Sequence, residues 1–173
     1  FCGAGGLSEG FNQAGFNILA ANEILEDASQ TYILNHKNTK MVVGDITKIT
    51  PQEFIKKTNL INTKIDLILG GPPCQGFSMS NRQRLIDDPR NKLYKYFVEF
   101  VNHIKPSYFV MENVKGMKNK VDEVIRDFKE IGYITKFKIL NAKDFGIPQN
   151  RERLFFIGKK IEAVFELTFT QRG

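Results

Sequence analysis

The chain has 173 residues, 42% hydrophobic and 25% charged, the mix of a soluble globular protein, and its 25 Lys and Arg against 19 Asp and Glu give +6. Apolar runs such as 67–69 and 109–111 are far too short to span a membrane, and no basic leader opens the chain, so a cytoplasmic or nuclear protein is expected. Two distant cysteines and two histidines with no C-x-x-C fit neither a disulfide framework nor a zinc site, whereas the positive balance mildly favours a polyanionic partner.

Short apolar runs alternate with amphipathic stretches, which predicts an α/β fold with a mostly parallel sheet and helices on both faces. The chain opens on FCGAGG. A glycine turn of this kind hangs from the end of a strand, so a strand is expected to precede it. Residues 16–21 read as a strand ending at Asn22-Glu23, then a helix carries Ala28, Tyr32, Ile33 and His36 at helical spacing. Residues 41–43 form a short strand ending at Gly44-Asp45. Pro51 suits the first turn of the next helix, where its missing N–H is no loss.

Residues 65–69 are the clearest buried strand and run into GGPPCQGFS. From 79 to 89 the chain is polar and reads as a long mobile loop. Tyr94, Phe97, Val98, Val101 and Ile104 mark one helix face, closed by Pro106. A further buried strand over 107–111 ends at Glu112-Asn113, and a helix over 121–131 stops at Gly132. Tyr133, Thr135, Phe137 and Ile139 alternate with Lys136 and Lys138, as in a half-exposed edge strand, and 154–157 is the last strand. No repeat or linker divides the chain, so 1–173 is expected to be one domain.

Four groups of residues carry chemistry. In FCGAGGLSEGF the glycines Gly3, Gly5 and Gly6 permit positive φ and close approach to a ligand, although Ser8 breaks the dinucleotide fingerprint G-x-G-x-x-G. Twenty residues beyond Gly3, Glu23 ends a strand, where an acid can accept the hydroxyls of a ribose. Asp45 ends the next strand at the matching place, within reach of an adenine amino group. An adenosyl ligand is favoured; the alternative is that Glu23 and Asp45 cap the helices that follow.

In GGPPCQGFS, Cys74 sits on a strand exit, stiffened by two prolines before it and freed by Gly76 after it. A thiol acts as a nucleophile once a positive field lowers its pKa, and Arg82, Arg84, Arg90, Arg151 and Arg153 are candidates to supply that field. In MENV, Glu112 ends a strand expected beside the one feeding Cys74. A half-buried carboxyl there has a raised pKa, which suits proton donation; helix capping is the alternative. In QNRER, Gln149, Arg151 and Arg153 alternate, so an extended backbone projects them to one side, where two guanidiniums can bind phosphate or a carbonyl oxygen. A solvated basic strand end is the other reading.

In this order the four groups resemble the DNA (cytosine-5) methyltransferase family over nearly the whole chain. The resemblance implies a Rossmann-like, S-adenosylmethionine-dependent methyltransferase fold, with S-adenosylhomocysteine as product and no metal. It implies that Phe1, Ala4, Gly5 and Gly6 line the cofactor pocket, that Glu23 binds the ribose with Ile24 on the adenine, and that Asp45 and Ile46 contact the adenine ring. Gly71 and Leu93 would complete that pocket. Cys74 would be the nucleophile, Glu112 would hold and protonate the cytosine ring, and Arg151 and Arg153 would position the base and Cys74. Gln75, Ser78, Arg82, Arg90 and Gln149 would contact double-stranded DNA around a flipped base.

Members of that family continue into a target-recognition domain and a C-terminal motif that returns to the cofactor pocket. Neither is recognisable in this sequence, so a catalytic piece is expected, or a second chain that supplies the rest. A tRNA cytosine-5 methyltransferase and a catalytically silent regulatory subunit remain as other readings. A NAD-linked dehydrogenase fits less well, because it leaves PPCQ without a purpose.

Overall fold

The computed structural model describes residues 1–73 and 93–161. Its elements are α1 (Gly6–Gln13), β1 (Ala20–Glu23), α2 (Glu26–Asn35), β2 (Lys40–Val43), α3 (Pro51–Lys57), β3 (Leu67–Gly70), α4 (Leu93–Ile104), β4 (Tyr108–Val114), α5 (Val121–Glu130), β5 (Tyr133–Asn141) and β6 (Glu152–Lys160). Local chemistry accounts for several boundaries. Thr50 and Glu53 form a reciprocal capping box at the start of α3, with Pro51 in its first turn. Among the described residues no helix is long and apolar enough to cross a membrane.

β1 and β2 pair in parallel, and a second sheet runs in the order β3-β4-β6-β5. There β3 and β4 are parallel, whereas β6 is antiparallel to both β4 and β5. The four-stranded sheet is therefore mixed, whereas the two-stranded one is parallel, and β5 lies at an edge, as its alternation predicts. The main chain of the opening residues joins the two sheets: the Phe1 and Cys2 nitrogens donate to the Asn22 carbonyl at 2.7 and 3.1 Å, and Gly71 N–H donates to the Phe1 carbonyl at 3.2 Å.

The main core lies between α4, α5 and one face of the four-stranded sheet. Phe97, Phe109, Phe128, Tyr133 and Phe156 form its aromatic centre, with Phe109 and Phe128 stacked at 3.8 Å between centroids. Gly158 stands opposite Phe109 in the ladder, and a Cβ there would lie 1.9 Å from the Phe109 ring. A smaller core of Ile46, Phe54 and Phe100 packs against the Phe1 side chain. The opposite face of the four-stranded sheet carries Leu69, Glu112, Arg153 and Phe155, and α1 stands over it through Leu7 and Ser8.

Several boundaries differ from expectation; β6 runs over Glu152–Lys160 rather than 154–157, paired with β5 along its whole length. β1 starts at Ala20 rather than at 16, because its partner β2 offers only four residues, beginning at the Ala20–Lys40 pair. β3 starts at Leu67 for the same reason, its ladder opening opposite Tyr108. β4 runs through Glu112 and Asn113 to Val114, because the long β6 continues to pair with it as far as Arg153.

Candidate active site

The C-terminal ends of β3 and β4, the start of β6 and the glycine turn before α1 surround a cavity of about 670 Å³. Its wall includes Phe1, Gly3, Gly6, Gly71, Glu112, Arg151 and Arg153, so residues from all four sequence motifs, separated by up to 150 positions, share one space. Cys74, Gln75, Ser78, Arg82, Arg84 and Arg90 lie outside the described residues.

The glycine turn has its own bracing. Gly5 caps α1 with φ +101, a left-handed conformation that only glycine adopts without strain. Its N–H donates to the Cys2 carbonyl at 3.2 Å. Gly3 N–H donates to Glu23 Oε2 at 2.8 Å. The other oxygen of Glu23 accepts the Ile24 and Leu25 N–H groups, so this buried carboxylate closes the chain entering α2 as well as holding the turn. Asp45 behaves as a cap: Oδ1 accepts Thr47 N–H and Oγ1–H at 2.9 and 2.8 Å, and these bonds lower its pKa. Capping was the alternative reading for both acids.

Other expected pocket residues do not line this cavity. Ile46 packs against Phe1 in the smaller core and lines an adjoining cavity of about 420 Å³ that also has Phe1 and Cys2 in its wall, whereas Ile24 is largely exposed. Gly5 is buried and Ala4 is exposed, and neither lines the cavity. Leu93 opens α4 away from the cavity wall.

Glu112 is the chemical centre. Its Oε1 accepts Arg153 Nε–H at 2.9 Å, with both side chains about a quarter exposed. Burial raises the pKa of its carboxyl, and the nearby Arg153 and Arg151 offset that rise only in part. A Cβ on Gly71 would stand 3.2 Å from Glu112 Oε2, so the absence of a side chain where β3 ends leaves this carboxylate its position. Parallel pairing of β3 with β4 places Glu112 beside the strand exit that leads towards Cys74, as the sequence predicts.

Arg151 stands on the cavity wall, held through its main chain: its N–H donates to Asn141 Oδ1 at 3.1 Å and its carbonyl accepts Ala142 N–H at 3.0 Å. Gln149 departs from the expected alternation. The backbone turns at Gly146, with φ +81, and bends again at 148–149, so Gln149 leaves the line of the arginines and lies off the cavity.

Two asparagines of the site were missed from sequence. Asn113, 4% exposed, donates from Nδ2 to the Pro72 carbonyl at 2.9 Å and accepts Val114 N–H, which ties β4 to the prolines before Cys74. Its signal was a polar residue inside an apolar strand, next to the more conspicuous Glu112. Asn141 pins both ends of the β5–β6 connection through Arg151 and Asn150. Cys2 lines the same cavity, but burial pushes its thiol up to about 11, which makes it a poor nucleophile. Among the described residues no group of three or more His, Cys, Asp or Glu side chains could hold a metal ion.

Comparison with known proteins matches residues 1–171 to the family model described as C-5 cytosine-specific DNA methylase. The chain is 43% identical over 163 residues to Type II methyltransferase M.FnuDI of Fusobacterium nucleatum, covering 91% of this chain and 45% of that protein. It is 40% identical over 186 residues to Type II methyltransferase M.AquIA of Picosynechococcus, covering 100% of this chain and 75% of that one. Among solved structures, the S. pombe Dnmt2 methyltransferase superposes with a TM-score of 0.73 at 26% identity, covering 95% of this chain and 51% of that chain. The chain thus spans about half the length of several relatives it matches.

Proposed function

The chain belongs to the C-5 cytosine-specific DNA methylase family, and on that premise we propose that the protein transfers a methyl group from S-adenosylmethionine to carbon 5 of cytosine in double-stranded DNA. The observation that carries this reading is the half-buried Glu112–Arg153 pair, with Arg151, in one cavity with the glycine turn.

The turn suits the cofactor. A Cβ at Gly3 or Gly6 would meet nothing within 4 Å, which leaves room for a ligand against the backbone. α1 begins without a side-chain cap, so its first N–H groups are available to a ligand carboxylate. Phe1, Gly3 and Gly6 would hold the methionine end, with Gly71 beside them, while Glu23 and Asp45, with Ile24 and Ile46, serve the adenosine end. S-adenosylmethionine supplies an electrophilic methyl group carried on a sulfonium.

Carbon 5 of cytosine is too weak a nucleophile to accept that methyl unaided. Cys74 resolves this: its thiolate forms a bond to carbon 6 of a base flipped out of the duplex, and the C5–C6 π electrons shift towards the ring nitrogen. Glu112, whose carboxyl is biased towards the protonated form, gives its proton to that nitrogen and holds the developing charge. Arg153 keeps Glu112 in place, and Arg151 presents a guanidinium to the base carbonyl. After transfer a base from solvent removes the proton on carbon 5, the C6–S bond breaks and the thiolate returns, and the ring nitrogen gives its proton back to Glu112. Target choice resides in parts of the protein outside these residues or in a second chain.

The test uses the protein at its full encoded length and duplex DNA carrying 5-fluorocytosine, whose fluorine cannot leave as a proton does. A covalent protein–DNA adduct is expected from wild type and none from Cys74→Ala. No adduct from wild type, or one that survives the substitution, rejects the mechanism. Methyl incorporation compared between duplex DNA and tRNA separates the DNA reading from the tRNA one.

A further inference from the structure

We infer that Tyr32 on α2 and His36 at its C-terminal cap, both outside the cavity, are positioning residues that set the glycine turn from behind and thereby tune cofactor affinity. The inference rests on the cofactor occupying the front of that turn.

Three glycines let a backbone approach a ligand closely, but the same freedom leaves a turn with little stiffness of its own. In this protein the Gly5–Cys2 and Gly3–Glu23 hydrogen bonds brace the turn, and a second support comes from behind. Tyr32 is fully buried, and its hydroxyl donates to Ser8 Oγ in the first turn of α1 at 2.9 Å. Four residues later His36, also buried, packs against Tyr32 at 4.4 Å between centroids, the rings tilted by 37°. The pair presses on Gly5: a Cβ there would lie 2.7 Å from His36 Nε2 and 3.0 Å from Tyr32 Cδ2.

Ser8, which receives the Tyr32 bond, also lines the 670 Å³ cavity. The turn is therefore clamped between two rigid rings and the ligand space. Together with the Gly3–Glu23 and Gly5–Cys2 hydrogen bonds, those rings set how far its N–H groups stand from a bound methionine moiety. Holding the turn in its bound shape removes an ordering cost from binding, so loosening it weakens cofactor capture without altering the reacting groups.

The experiment measures steady-state kinetics with S-adenosylmethionine and duplex DNA varied separately, and S-adenosylhomocysteine binding by calorimetry, on the full-length protein. Tyr32→Phe and Ser8→Ala each remove the same hydrogen bond. Each is expected to raise the cofactor KM and the S-adenosylhomocysteine Kd roughly 3- to 10-fold, and Tyr32→Phe, which lies off the cavity, is expected to leave kcat and the DNA KM unchanged. The double variant is expected to be no worse than either single one. His36→Ala, which opens space behind Gly5, shifts the same two quantities in the same direction. If all three bind like wild type, the inference fails while the function reading stands. A fall in kcat, with both KM values rising in step with lost melting temperature, assigns the rings to folding alone and also overturns it. A wild-type protein that captures no S-adenosylhomocysteine removes the function reading and this inference together.

Discussion

Glu112→Gln keeps the shape of the side chain and its carbonyl acceptor for Arg153 while removing the charge and the transferable proton. Two consequences of opposite sign follow. A positioned general acid is worth about 100- to 10,000-fold in rate, so methyl transfer should fall within that range. Stability should not fall with it. In the folded protein burial holds the Glu112 pKa above its ordinary value despite the two arginines. A carboxyl raised in this way contributes stability that is complete below its unfolded pKa and is lost as pH rises through the folded one. The wild type loses that contribution as pH rises through the raised pKa, and glutamine, which does not ionise, has nothing to lose. The variant should melt no lower than wild type at pH 8, and any advantage should shrink as pH falls towards 4. Single-turnover methyl transfer and thermal melts at several pH values test both arms. A rate within about threefold of wild type would refute the acid role. A melting temperature lowered by several degrees at pH 8 would show that the ion pair with Arg153 outweighs burial, contrary to the reasoning.

Gly158→Ala should destabilise by about 1–3 kcal/mol, because its Cβ would meet the stacked, fully buried Phe109 at 1.9 Å. That corresponds to a melting temperature lower by roughly 3–10 °C, and Phe109→Leu in the same chain should recover part of it. Asn113→Ala should lower kcat by freeing the Pro72 carbonyl that precedes Cys74, while leaving S-adenosylhomocysteine affinity near wild type in calorimetry. Asn113→Asp should be worse than alanine at pH 8, where a carboxylate faces that carbonyl, and should improve at acid pH, where a protonated oxygen can donate.

Periodicity exposed the elements whose environment is set by one face. The β5 alternation holds over residues 133–136 and then breaks at Phe137, which is 43% exposed, whereas the α4 stripe is real because it covers the core. Strand ends were harder to place, since each stops where its partner does. Nothing within residues 16–21 shows that β2 is only four residues long, and nothing within 107–111 shows that β6 extends the ladder past Glu112. The motif residues Glu112, Arg151 and Arg153 were legible because charged side chains on strand ends have few structural uses. Asn113, Tyr32 and His36 were not, because their roles depend on atoms far away in sequence: the Pro72 carbonyl, the Ser8 hydroxyl and the bare Cα of Gly5.

The antiparallel neighbourhood of β4 and β6 imposes a parity on the ion pair. Glu112 lies opposite Phe155 and Val114 opposite Arg153, so both charged side chains leave the sheet on the cavity side. A slip of β6 by one residue would turn Arg153 towards the helices and bring Leu154 into the charged space. A slip of two would keep the face but carry the guanidinium about 7 Å along the strand, out of reach of its partner. Between the start of β5 and the end of β6, changes in chain length are thus tolerable only in the connection between residues 142 and 151, where added residues leave the ladder in step.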